Sequence, residues 1–329
     1  MNSMSLNEIT KIGLYTGSHG KKECTCNCKG CCFGNNRLKH TLHQGTPDQI
    51  QELLNLLPNL KSVLIFGNPD VSVDPEFCNY AAKLLQSCGI IVAFNTSGYG
   101  GRETLKTVLN GLNFNMVRFV DFSLDTLDNK NLTILKGTTR ITVEIVLDAI
   151  KYCTDNGIPT GVKPTIWQTN IDDDWNNYYS FLKNSGVSRF KFHFGSIEGV
   201  NENVEHVSLS KISEFKSKYK DLGMIPQLLL TESEYATFNT KFKPRCLSGN
   251  GPVSVFLGND GIKGTVCTSY SAISSAFVAD LKNGCVPLLN GNFSTCPSAE
   301  NALGFVKYEN RYPVCRYYMF NPKMEEYCM

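Results

Sequence analysis

Several things are scarce or missing in this 329-residue chain, and each absence excludes something. The opening MNSMSLNEITKIGLY has no basic start followed by an apolar core, so it does not read as a signal peptide. No apolar run approaches the ~20 residues needed to cross a bilayer, so no membrane anchorage is expected. Charge of one sign is also missing. The 32 Lys and Arg stand against 30 Asp and Glu, a formal net of +2, which argues against a general attraction to nucleic acid or anionic membranes. No internal repeat is visible, and no cysteine lies between residues 153 and 246. These absences lead to the expectation of a cytoplasmic globular protein.

What is present is cysteine, fourteen in all. A reducing cytoplasm disfavours disulfides, so clustered thiols there point to metal binding or chemistry. Cys78, Cys88 and Cys153 sit in helical patterns and read as small buried apolar residues. The other eleven fall into two groups, five in CTCNCKGCC (24–32) and six from Cys246 to Cys328.

Between the two groups the text alternates between two periods. Short apolar runs at 12–17, 62–67, 90–95, 116–125, 160–168 and 188–195 read as strands. Helical patterns fill 46–57, 74–89, 103–112, 139–157, 173–186 and 209–223, with a further strand-like run at 224–231. Thr46 before Pro47 marks a helix start, and Asp74 and Gly89 bracket another helix. Pro164 is awkward for a central strand. Repeated βα units with continuous apolar strands predict a parallel sheet, either a closed or nearly closed β/α barrel or an open doubly wound sheet. In both, ligands gather at the C-terminal strand ends, where the loop after the first strand places the first cysteine group. From about residue 239 the chain becomes rich in Gly, Ser, Asn, Pro and Cys, which reads as a second, loop-rich domain at 239–329 after a first at 1–238.

Within the first group Cys24, Cys28 and Cys31 have the spacing C-x3-C-x2-C. Three thiolates on one loop can hold three irons of a [4Fe–4S] cluster and leave the fourth open. A zinc knuckle completed by His19 or His40 is the other reading of the same loop. Cys26 falls outside the triad and reads as packed or solvent-facing. The segments that follow sit at successive strand ends: FGNPD with Gly67, Asn68 and Pro69, FNTSG with Ser97, SLDT with Ser123 and Asp125, and LKGTT ten residues farther on.

Taken together, residues ~11–235 resemble the radical SAM superfamily. The resemblance implies a partial (β/α)6 barrel whose cluster binds S-adenosylmethionine and cleaves it reductively to a 5′-deoxyadenosyl radical that abstracts a substrate hydrogen. It implies SAM contacts from Gly67, Asn68, Pro69, Ser97, Ser123 and Asp125, and an electron donor such as a flavodoxin or ferredoxin. Asn68 stands where the family usually carries an acid, and Gly30 where it usually carries an aromatic residue. The stretch from Cys246 to Cys267, with a hairpin turn at Asn259–Gly261, is similar to the opening of SPASM and twitch domains. That similarity implies one auxiliary [4Fe–4S] cluster on Cys246, Cys267, Cys285 and Cys315, with Cys296 nearly equivalent to the last. A zinc site is the other reading here too.

Radical SAM enzymes with such an extension commonly modify ribosomally made peptides, so a peptide substrate is expected, undergoing cross-linking or thioether formation, oxidation or epimerisation. With only about ten residues before the first strand, a fused leader-recognition domain is not expected. A small polar metabolite is the alternative substrate, and a zinc-binding interaction protein the alternative of another class.

Overall fold

The computed structural model describes residues 3–17, 24, 26–28, 45–67, 70–194, 207, 209–219, 222, 253–259, 261–265 and 279–287. After a three-residue strand β1 (Ser3–Ser5), the predicted alternation follows: β2 (Lys11–Tyr15), α1 (Pro47–Leu56), β3 (Ser62–Ile65), α2 (Pro75–Ser87), β4 (Ile91–Thr96), α3 (Gly101–Leu109) and β5 (Val117–Phe122). Next come α4 (Asn129–Lys136), α5 (Val143–Asp155), β6 (Thr160–Val162), β7 (Thr165–Ile166), α6 (Trp175–Asn184), β8 (Arg189–Phe190), β9 (His193–Phe194) and α7 (Leu209–Lys218). The C-terminal part contributes β10 (Val253–Gly258), β11 (Gly261–Thr265), β12 (Ala279–Asp280) and β13 (Cys285–Pro287).

The helix ends follow from local chemistry. Thr46 and Gln49 form a reciprocal capping box, with Pro47 in the first turn of α1. Asp128, Thr142 and Asp174 cap α4, α5 and α6 with side-chain oxygens. Asp74 stands at the start of α2, but its side chain makes no capping hydrogen bond there. Helix α4 was not foreseen as a helix, because it is only eight residues long and carries few apolar side chains.

Among the described residues, nine strands form the main sheet in the order β12-β11-β10-β2-β3-β4-β5-β6-β8. Every pair from β10 to β8 is parallel. The parallel sheet and its crossover helices make the partial barrel expected of this α/β chain. Burial alternates in β3. Ile12, Leu14, Val63, Ile65, Val92 and Phe94 are essentially solvent-free and belong to the main core together with the helices. Fully burying each such side chain is worth ~1.5–3 kcal/mol. The alternate residues lie on the opposite, concave face and are half-buried, as at Tyr15, Phe66 and Asn95.

Two predicted strands are broken in a regular way. The stretch 160–168 divides into β6 and β7 at Lys163–Pro164, where proline has no N–H for the ladder. The stretch 188–195 likewise divides into β8 and β9, and β7 pairs with β9 in a separate two-stranded sheet. The run 224–231 lies outside the described residues. Cys78 and Cys153 are buried as expected, whereas Cys88 is exposed. Cys88 is the C-cap of α2, one residue past the helical periodicity that suggested a core position.

The hairpin expected at Asn259–Gly261 joins β10 to β11. Gly261 takes φ +109°, a conformation that favours glycine. β10 runs parallel to β2, with Val253 opposite Ile12 and Phe256 opposite Tyr15. The strands β10 to β12 of the cysteine-rich region thus continue the barrel sheet. β13 pairs antiparallel with β1, placing Cys285 opposite Ser5.

Candidate cofactor site

Loops leaving the C-terminal ends of parallel strands define the functional rim. Cys24, Cys26 and Cys28 follow β2 there and are all half-buried. Cys26 packs against the core, and its thiol lies within hydrogen-bond reach of Cys24 and of Cys28. That sharing lowers Cys24 despite its burial. It also brings Cys28, helped by the charge of Lys136, down to about 7. Cys26, bonded to Cys24 first and Cys28 second, is pushed up. Cys24 and Cys28, two members of the predicted triad, are thus the thiols whose ligand form is favoured, since the thiolate is what binds metal.

The loop is held from below by α4. The Asn27 N–H donates to the Lys136 carbonyl at 3.0 Å. Gly137 takes φ +62°, and a Cβ on it would lie 2.2 Å from the Asn27 carbonyl oxygen. Only glycine permits both the left-handed backbone and the close approach. The Lys136 side chain turns inward, where its Nζ pairs with Asp125 Oδ2 at 2.6 Å. Both side chains are more than nine-tenths buried. Burial pulls the Lys136 ammonium down, but Asp125 and then Cys28 more than offset it, and it stays above its ordinary range. The other Asp125 oxygen accepts from the Thr165 N–H at 2.8 Å, and its carbonyl accepts from the fully buried Asn170. The short SLDT and LKGTT segments therefore meet in space as one brace beneath the cysteine loop.

A second brace joins the ends of β3 and β4. Gly67 is buried with φ +76°, and a Cβ there would meet the Asp70 backbone at 2.4 Å. Asp70 accepts from Thr96 Oγ1 at 2.9 Å, from the Ser97 N–H and from Ser72. Ser97 Oγ in turn accepts from the Tyr99 N–H at 3.3 Å. The Ser123 N–H donates to the Thr96 carbonyl at 2.8 Å, which places Ser123, half-buried, beside Ser97 at the rim. Asp70, two residues past Asn68, is a site residue that the expected set does not include. FGNPD contains that acid, but only the turn at Gly67 brings it back onto β4.

Of the expected site residues, the structure brings together Cys24, Cys28, Gly67, Ser97, Ser123 and Asp125 at the C-terminal ends of β2 to β5 or in the brace beneath the cysteine loop. Asn68, Pro69, Cys31, Cys246, Cys267 and Cys315 lie outside the described residues, as does Cys296. Cys285 is half-buried at the start of β13. Cys24 and Cys28 are soft donors of the kind an iron–sulfur cluster takes, on one loop beside a buried ammonium, although among the described residues no three such side chains converge as metal ligands. Among the described residues no helix is long and apolar enough to cross a membrane.

Residues 22–182 match the Radical SAM superfamily model. No curated protein matches the chain. Several solved structures share its fold. Streptococcus suis SuiB bound to S-adenosylmethionine superposes with a TM-score of 0.62 at 15% identity, covering 94% of this chain and 72% of that one. SuiB bound to the precursor peptide SuiA gives 0.61 at 14% identity, covering 94% and 71%. A further SuiB structure has 62% of its length covered. Native anSMEcpe with bound AdoMet and the Kp18Cys peptide gives 0.55 at 11% identity, covering 83% and 78%. The strand-end geometry and the match agree: residues 22–182 form a domain of the Radical SAM superfamily.

Proposed function

We propose that the protein modifies a peptide by hydrogen abstraction, with cross-linking, thioether formation, oxidation or epimerisation as the outcome. The observation that carries this reading is the cysteine loop seated on α4 at the mouth of the parallel sheet, facing the polar ends of β3, β4 and β5. Two neighbours of the same fold with peptides bound support the substrate class. In this reading Cys24, Cys28 and Cys31 hold a [4Fe–4S] cluster, which, when bound with S-adenosylmethionine, supplies reductive cleavage to a 5′-deoxyadenosyl radical. In the same reading Gly67, Asn68, Pro69, Ser97 and Ser123 contact S-adenosylmethionine. Asp125, its oxygens committed to Lys136 and Thr165, orients the cysteine loop from behind. Cys246, Cys267, Cys285 and Cys315 hold an auxiliary cluster, a flavodoxin or ferredoxin delivers electrons, and the reaction takes place in the cytoplasm.

The test uses anaerobically purified, reconstituted full-length protein. Iron and sulfide are quantified, and 5′-deoxyadenosine is measured after addition of S-adenosylmethionine and dithionite. About eight irons per chain with product supports two [4Fe–4S] clusters, and Cys24→Ala then abolishes the product. About four irons with product removes the auxiliary cluster, and zinc without sulfide or product overturns the enzyme reading. Mass spectrometry of a short cysteine-containing peptide encoded beside the gene decides the substrate. Loss of two hydrogens, or an unchanged mass in ordinary water together with uptake of one deuterium in D2O, supports peptide modification, and an unchanged peptide beside a turned-over metabolite overturns it.

A further inference from the structure

Past a register shift between Val92 and Phe94 in the β4–β5 ladder, strand register carries one face of the sheet across its C-terminal strand ends. Leu14, Ile65, Phe94 and Val120 are successive partners on the helix-covered face. Their neighbours Tyr15, Phe66, Asn95 and Asp121 therefore share the concave face. On that face the two ends of the sheet differ in chemistry. At one end Tyr15 is stacked between Phe66 and Phe256, with ring centroids at 4.7 and 4.5 Å. At the other end Asn95, Asp121, Gly161 and Arg189 follow one another across β4, β5, β6 and β8.

That second end holds unbalanced buried charge. The Asp121 carboxylate is 2% exposed and faces two cations, Lys163 Nζ at 2.8 Å and Arg189 Nε at 3.4 Å. Lys163 and Arg189 are themselves 17% and 26% exposed. Gly161 makes the space, since a Cβ there would lie 2.1 Å from Asp121 Oδ1. The Arg189 guanidinium lies over the Phe119 ring at 3.7 Å from its centroid, which fixes its plane. Arg189 Nε and both Asp121 oxygens are buried without a hydrogen bond of good geometry. Lys163 Nζ also reaches Asn95 Oδ1 at 3.4 Å. Among the described residues, two cations to one carboxylate leave one positive charge on this largely buried part of the concave face. Such a charge is costly unless an anion joins it. A planar guanidinium beside an ammonium suits a carboxylate.

We propose that Arg189 and Lys163 form a carboxylate-binding site on the concave face that receives a carboxylate of the substrate, with the aromatic wall at Tyr15, Phe66 and Phe256 across from it. This rests on the reading of the substrate as a peptide, so the group is an acidic side chain or a chain terminus. Asp121 holds the two cations apart and in place, and Asn95 positions Lys163.

The test measures binding of three probes of similar size to the reconstituted protein by calorimetry or saturation-transfer NMR. N-acetyl-L-glutamic acid α-amide presents a side-chain carboxylate, N-acetyl-L-glutamine a terminal one, and N-acetyl-L-glutaminamide none. At least one acid is expected to bind and the neutral amide is not; the acid that binds identifies the source. Arg189→Gln and Lys163→Gln should each weaken binding about tenfold, the loss of one charge-assisted hydrogen bond. Should either fail to fold, Asn95→Asp offsets the extra charge beside Lys163 with almost no change of shape, and it should weaken binding about as much. Equal binding of the neutral amide, unchanged affinity in Arg189→Gln and Asn95→Asp, or displacement of the acid by S-adenosylhomocysteine would each overturn the proposal, the last by giving the site to the methionine carboxylate. Probe binding needs no turnover, so it succeeds or fails independently of whether a peptide is modified.

Discussion

Gly137 has two constraints at one position, a left-handed backbone and the Asn27 carbonyl where a side chain would begin. Gly137→Ala should therefore cost about 1–2 kcal/mol from the backbone alone and displace the cysteine loop. The measurable result is a lower melting temperature together with less iron per chain after reconstitution. Lys136 and Asp125 make a separate prediction. Removing one partner of a buried pair leaves the other uncompensated, so Lys136→Met should destabilise by about 3–5 kcal/mol in urea unfolding. The double variant Lys136→Met/Asp125→Leu should recover part of that loss. The cysteines outside the clusters differ in a testable way. Burial pushes the thiols of Cys78 and Cys153 up to about 12. Near pH 8 both stay protonated in the fold, and iodoacetamide should spare them while labelling exposed Cys88. Labelling of Cys78 and Cys153 should appear only on unfolding, as peptide mapping would report.

At the scale of elements, α1 does more than cover the sheet. Its capping residue Gln49 also donates from Nε2 to the Gly258 carbonyl at 2.6 Å, at the turn between β10 and β11. Thr46→Ala removes only the cap and should cost about 1 kcal/mol. Gln49→Ala removes half the capping box and the link to the hairpin as well, so hydrogen exchange at β10 and β11 should rise in Gln49→Ala and not in Thr46→Ala. Equal exchange in both would show that the hairpin is held by strand pairing alone. The broken strands belong to this scale too. Pro164 announced a break, and it is at that break that Lys163 turns toward Asp121.

At the scale of the whole molecule, β10 covers the edge of β2 through a parallel ladder of four residue pairs. A chain ending at residue 238, the boundary suggested by composition, would expose that edge together with Tyr15. Unpaired strand edges beside apolar surface promote association. Such a chain should be aggregated or oligomeric in size-exclusion chromatography where the full chain is not; a soluble monomer would mark 1–238 as an independent unit.

The sequence by itself determined the alternation of strands and helices, the rim position of the cysteine loop and the segments that line the rim. These depend on period, capping and spacing, which are local along the chain. The tertiary structure decided what depends on contacts between distant segments. Asp70 returns to β4 because Gly67 turns the chain. Lys136, ten residues past the SLDT segment, finds Asp125 and supports Asn27. The hairpin after residue 252 becomes part of the barrel sheet. Asp121, Lys163 and Arg189 looked like ordinary polar residues on three separate strands. Parallel pairing without a register slip between them brings them to one place, and a linear pattern carries no trace of that distance.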